Sequence, residues 1–203
     1  MCYTIKQTAN ERLLEGRFKA RLKYPAQLET IESSSGFAFP LVPVITNEDV
    51  ESIQLFHWGL LPSWAQDKSL RKNTLNARIE TIGEKPSFRS YVKNRCLVLI
   101  DGFYEYQWQD AKGKEKKRFL MTMPDGEPFA LGGLFSHWTD KTSGDMLSTF
   151  TILTMDANEQ MAVIHNTKKR MPLVLTKDNE MDWLEGKIES VKFDKKMVTA
   201  EIV

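Results

Sequence analysis

CLVLIDGFYEYQW, residues Cys96–Trp108, is the stretch whose reading decides the fold. Its first half, Cys96–Ile100, is an unbroken apolar run of the length and Val/Leu/Ile content that suits a strand buried on both faces. The second half carries a carboxylate, Glu105, into aromatic company: Phe103, Tyr104, Tyr106 and Trp108. If the strand continues, alternation places Asp101, Phe103, Glu105 and Gln107 on one face and Gly102, Tyr104, Tyr106 and Trp108 on the other. A carboxylate in apolar surroundings resists ionising, so its pKa rises. Such a group can give and take a proton near neutral pH. The plainer alternative is a Glu that reaches solvent or pairs with a Lys or Arg.

Outward from this stretch, short strands dominate. Met1–Ile5 reads as a strand, and Thr8-Ala9-Asn10-Glu11 as a capping box opening a helix with Leu13, Leu14 and Phe18. Phe37–Ile45 contains Pro40 and Pro43 and reads as an edge-like segment. Ile53–Trp58 is a strand ending at Gly59. Ala65–Lys72 and the segment after Pro86 read as short helices. A hairpin through Asp110–Gly113 leads to Arg118–Met123. Ala130–Phe135 is a strand whose Gly132 and Gly133 admit a close approach to the backbone. Ser148–Met155 is a strand, Asp156 caps a helix running to about His165, and Thr176 and Gly186 bracket a last helix after a strand at Leu173–Leu175. Strands and helices do not alternate as βαβ units. The expected fold is a single α+β domain over residues 1–203, mainly antiparallel, with helices outside a curved or barrel-like sheet.

Lys plus Arg is 28 and Asp plus Glu is 27, so overall charge singles out no partner. The basic residues are clustered, at 112–118 and at Lys168-Lys169-Arg170, and such clusters can bind phosphates in a neutral chain. Two cysteines give no disulfide framework, which suits a reducing compartment. With no apolar stretch of membrane-spanning length and no visible signal peptide, a cytoplasmic location is expected. The three His and two Cys lack zinc-site spacing, so no metal is expected. No nucleotide-binding glycine fingerprint or GxSxG elbow is present.

Cys2 follows Met1 directly, and a Met before so small a residue is normally trimmed. That leaves a free α-amine beside a thiol, with reference pKa values of about 8 and about 8.5. An aldehyde condenses with the amine, and the thiol closes on the imine carbon to give a thiazolidine. His165 falls at a predicted helix C-terminus, where the macrodipole favours a protonated imidazole. His57 and His137, beside tryptophans, read as packing or surface residues.

Several stretches occur in order: Cys2; Trp58–Trp64 (WGLLPSW); Asn76–Thr81 (NARIET); Arg95–Val98 running into Asp101–Glu105; Leu131–Phe135 (LGGLF); Ile164-His165; and Arg170-Met171-Pro172. Together they resemble the SOS-response-associated peptidase (SRAP) family, whose members protect abasic sites in DNA. The resemblance implies a protein that crosslinks to abasic sites in single-stranded DNA, forming a thiazolidine with the ring-opened sugar. It implies that Cys2 is the nucleophile, that Asn76 orients the sugar and the Cys2 terminus, and that Glu105 is the acid/base. It further implies that His165 assists proton transfer and reversal, and that Arg78 holds a flanking phosphate. Trp64, Lys85 and Arg170 would line the DNA path. The expected protein is a monomer without a small-molecule cofactor, acting on abasic single-stranded DNA and not on membranes.

Two departures from the family pattern matter. The family's Gly-Arg after the cysteine is Tyr3-Thr4 here, so a phosphate-binding arginine is missing or replaced from elsewhere. Asn166-Thr167-Lys168-Lys169 intervenes between His165 and Arg170, which the family holds closer together. Two rival functions remain at this level: an N-terminal-nucleophile cysteine peptidase acting on itself or on proteins, and a non-catalytic nucleic-acid-binding β module.

Overall fold

The computed structural model describes residues 2–188 and 199–203. In chain order it forms β1 (Thr4–Gln7), α1 (Glu11–Phe18), β2 (Arg21–Leu22), β3 (Ile31–Ser35), β4 (Leu41–Thr46), β5 (Asp49–Trp58) and β6 (Asn76–Arg78). There follow β7 (Arg95–Ile100), β8 (Gly102–Trp108), β9 (Lys116–Thr122), β10 (Phe129–Thr139) and β11 (Met146–Asp156). The chain continues through α2 (Glu159–Ile164), β12 (Arg170–Pro172), β13 (Val174–Leu175), α3 (Glu180–Leu184) and β14 (Thr199–Ile202). Among the described residues no helix is long and apolar enough to cross a membrane.

The opening stretch is two strands, not one. β7 ends at Ile100 and lies between β4 and β10; β8 begins at Gly102 in a second sheet ordered β14-β9-β8-β1-β3. The break is at Asp101. Its carboxylate accepts the Thr8 N–H at 2.8 Å and a short bond from the Thr8 hydroxyl. Both halves favour strand, so nothing local marks the break; a partner 93 residues away in sequence sets it.

β11, β10, β7, β4 and β5 pair in succession, and β5 returns to β11 in parallel through His57↔Thr149 and Trp58↔Phe150. The curved sheet therefore closes into a five-stranded barrel. Alternate residues of all five strands meet inside it: Val44, Phe56, Trp58, Val98, Phe135, Phe150 and Ile152 among them. Trp58 stacks on Phe150 at 6.2 Å, and its indole N–H donates to the Leu75 carbonyl at 2.7 Å. Truncating so large a buried aromatic costs about 3–5 kcal/mol. The outward residues, such as Ile45, Leu97, Leu99 and Leu134, pack in a second cluster with Leu14 of α1 and Trp183 of α3. The mainly antiparallel barrel with peripheral helices agrees with the sequence reading.

Several local expectations are corrected. Thr8 does not cap α1; Asn10 does, accepting from the Leu13 N–H at 3.0 Å, while Thr8 is engaged by Asp101. Asp156 does not cap α2. Asn158 does, and Asp156 ends β11. Residues 65–72 and those after Pro86 give only 3-10 turns, at Lys68–Asn73 and Arg89–Tyr91. β4 is an interior strand despite Pro43. The ladder to β7 begins at Val44, so the proline meets only β5. Gly133 does admit a close approach: a Cβ there would lie 2.7 Å from the Thr151 carbonyl and 2.9 Å from Cys96 Sγ.

Candidate functional site

The amino-terminal strand carries the first group. β1 lies between β8 and β3, with Thr4 opposite both Tyr104 and Ser35. This register holds Cys2 at the edge of the barrel core, fully buried. Its Sγ is 3.8 Å from the Thr4 carbonyl. Burial, then the Glu105 charge, pushes the thiol up to about 12. The sequence expectation of a thiol titrating near its reference value is thereby corrected.

Glu105 arrives from β8 and is 4% exposed. Burial pushes its carboxyl above the ordinary value, opposed in part by the positive charge of the chain's amino terminus. The expected setting for Glu105 is what the strand provides. Asn76 arrives from β6, which runs parallel to β11 with Asn76 opposite Ile152. Its side-chain amide donates to the Cys2 carbonyl at 2.8 Å. Its Oδ1 is buried without a hydrogen-bond partner among the described residues, an acceptor left available beside Cys2.

His165 caps α2, its N–H donating to the Met161 carbonyl at 2.7 Å. The protonated imidazole read from the helix dipole is not found. The ring is buried, and burial lowers its pKa to about 4. Six helical residues supply too little dipole to offset the loss of solvent. The Arg170 backbone N–H and carbonyl both lie 3.0 Å from Nδ1. Since the N–H can only donate, an Nδ1 that accepts it leaves the ring proton on Nε2.

Glu105 and His165 share one cavity of ≈ 330 Å³, with Tyr3 on its wall. Tyr106, Trp108, Lys116 and Lys168 line the same space. The structure thus brings together Cys2, Asn76, Glu105 and His165 around the amino terminus. Arg78 follows Asn76 on β6 and is exposed. Trp64 is 50% exposed and Lys85 is exposed, but neither lines the cavity.

Arg170 does not present an open cation. Its guanidinium makes a bidentate pair with Glu80 at 2.8 Å on both arms, reaches Asp156 at 2.6 Å, and donates to the Thr154 carbonyl at 2.7 Å. Only 4% of the residue is exposed. It clamps the Ile79–Thr81 turn to β11 and, through its backbone, fixes the His165 ring. Sequence reasoning missed this role, because a cation next to two lysines in sequence gives no sign of which carboxylates will enclose it. It also missed Lys116 and Tyr3 as cavity residues. Among the described residues no group of His, Cys, Asp and Glu could hold a metal.

A family model described as SOS response associated peptidase (SRAP) matches residues 1–201. The chain belongs to the SRAP family. Among SRAP relatives, it is 38% identical over 148 residues to the abasic site processing protein YoqW of Bacillus subtilis (strain 168), covering 72% of this chain and 63% of that one. It is 31% identical over 152 residues to the abasic site processing protein HMCES of Gallus gallus, covering 63% and 44%. The match therefore spans less than two thirds of the length of these relatives. A crystal structure from Bacteroides thetaiotaomicron superposes with a TM-score of 0.88 at 31% identity, covering 100% of this chain and 92% of that one.

Proposed function

We propose that this SRAP domain processes abasic sites by covalent capture. The observation that carries the reading is Glu105, a buried carboxylate with a raised pKa, held beside the second residue of the chain. Abasic-site processing by the named relatives supports it. With Met1 removed, the Cys2 amine attacks the aldehyde carbon of the ring-opened sugar. Protonated Glu105 gives its proton to the departing hydroxyl of the carbinolamine, water leaves, and a protonated imine forms beside the Glu105 carboxylate. Cys2 Sγ then bonds to the iminium carbon as the thiol proton passes to the Glu105 carboxylate, which leaves the ring nitrogen neutral and Glu105 protonated again. The sum is aldehyde plus aminothiol giving thiazolidine plus one water.

The environment bears on the second step. A thiol pushed up to about 12 is essentially uncharged near neutral pH. Ring closure therefore needs a base at hand, and Glu105, having given up its proton, is one. The Asn76 amide fixes the Cys2 carbonyl and so the direction of the amine. His165, neutral, acts as hydrogen-bond donor or acceptor at the sugar rather than as a cationic acid. Arg78 holds a phosphate of the single strand.

The test is intact-mass analysis after mixing the protein with an abasic single-stranded oligonucleotide. We expect one adduct, at the mass of protein lacking Met1 plus oligonucleotide less one water, and none from Cys2→Ala. An adduct of equal yield from Cys2→Ala would overturn the proposal. Casein digested in parallel, without adduct, would favour the peptidase instead.

A further inference from the structure

The residues between His165 and Arg170 are not a loose loop. The Asn166 side chain makes two bonds to one residue of β8: Oδ1 accepts the Trp108 N–H at 3.1 Å, and Nδ2 donates to the Trp108 carbonyl at 2.8 Å. Lys169 then adopts a left-handed conformation, φ 48°, and its N–H returns to the His165 carbonyl at 3.0 Å. The segment is thereby docked on β8, with Lys168 on the cavity wall.

Lys116, on the same wall, is held from another side. Gly113, at φ 65°, brings the hairpin turn so close to Trp108 that a Cβ there would lie 2.6 Å from the indole. The indole so fixed carries the Lys116 ammonium over its ring, 5.4 Å from the centroid. Both lysines are exposed, and neither is paired with a carboxylate among the described residues. Two lysines thus line one cavity together with Glu105 and His165.

We propose that Lys116 and Lys168 form a phosphate clamp for the DNA backbone next to the captured sugar. It takes the place of the arginine that Tyr3-Thr4 omits after Cys2. This rests on the reading that a DNA strand enters the cavity. Asn166 is a positioning residue: it reaches no phosphate but aims Lys168. The charges on the wall complement a phosphodiester, and ammonium groups serve as point-charge phosphate binders.

The experiment measures affinity for undamaged single-stranded oligonucleotide against salt, which reads the clamp without any covalent step. Each phosphate contact contributes about 0.7 to the log–log slope for single strands. Lys116→Gln/Lys168→Gln should flatten the slope by about 1.4 and slow crosslinking at low DNA concentration. Asn166→Ala should flatten it by up to about 0.7. Lys112→Gln/Lys114→Gln removes the same charge from the hairpin turn outside the cavity lining and should leave the slope near wild type. An unchanged slope in the Lys116/Lys168 variant, or an equal loss in the Lys112/Lys114 control, would overturn the clamp. Absence of a covalent adduct from the wild type would instead overturn the capture reading, with the slope still interpretable.

Discussion

Glu105 combines two demands that oppose each other. Burial raises its pKa, which suits a proton donor near neutral pH and costs stability whenever the group ionises. Glu105→Gln keeps the shape and removes the proton. Crosslinking should slow by about 10²–10⁴-fold, with DNA affinity nearly intact; a wild-type rate would exclude Glu105 as acid/base. The same variant should be the more stable protein at pH 8. With a native pKa above the unfolded one, the wild type loses stability as pH rises through the native value and loses none below the unfolded value. The advantage of Glu105→Gln should therefore vanish near pH 4, which urea midpoints at the two pH values would check. Arg78→Ala should weaken single-strand binding and flatten its salt slope by about 0.7. Cys2, Asn76 and Glu105 were legible as a set because their motifs occur in order along the chain. The buried role of Arg170 was not, since a guanidinium's partners are chosen by the fold: Glu80 lies 90 residues away in sequence.

At the level of elements, the strands were legible and their boundaries were not. Alternation and apolar runs report a strand, but the turn at Asp101 depends on Thr8, which a window of local sequence does not contain. Cap residues failed for a related reason. Thr8 and Asn10 both carry the chemistry of a cap, and the one not claimed by another partner takes the position. Asp156 and Asn158 repeat the pattern, with Arg170 claiming the first. The left-handed Lys169 is testable at this scale. A β-branched side chain is poorly tolerated there, so Lys169→Val should destabilise by about 1–2 kcal/mol. Lys169→Gly should be neutral or mildly stabilising. Equal stability of the two variants in denaturant titrations would contradict the geometry. Gly133→Ala should cost about 1–3 kcal/mol, because the contact is with a neighbouring strand's carbonyl that cannot withdraw.

For the molecule as a whole, barrel closure makes burial the dominant influence on the site's titrating groups. His165 shows the consequence for acid stability. Its native pKa, about 4, is below the ordinary 6.5, so between those values the unfolded chain binds a proton the native state refuses. Stability should fall as pH drops from 6.5 towards 4 by an amount on the order of 1–3 kcal/mol, and this part of the fall should be absent from His165→Gln. Parallel losses in the two proteins, followed by chemical denaturation across that range, would show that the ring is not the cause.

The position of β1 between β8 and β3 also governs timing during synthesis. Thr4 can pair with Ser35 early, but its second neighbour, Tyr104, emerges about a hundred residues later. Two strands alone are marginal in water. At about 5–20 residues per second, the nascent amino terminus stays open for at least several seconds before β8 exists to enclose it. If the proposed capture by a free Cys2 amine holds, an aminopeptidase would have that interval in which to remove Met1. Once the sheet forms, Cys2 is wholly buried, which would disfavour trimming of the bond before it. Protein refolded with Met1 still attached should resist the aminopeptidase that trims the same chain in urea, and should remain inert towards aldehydes. Maturation would then depend on the order in which the ribosome delivers the strands.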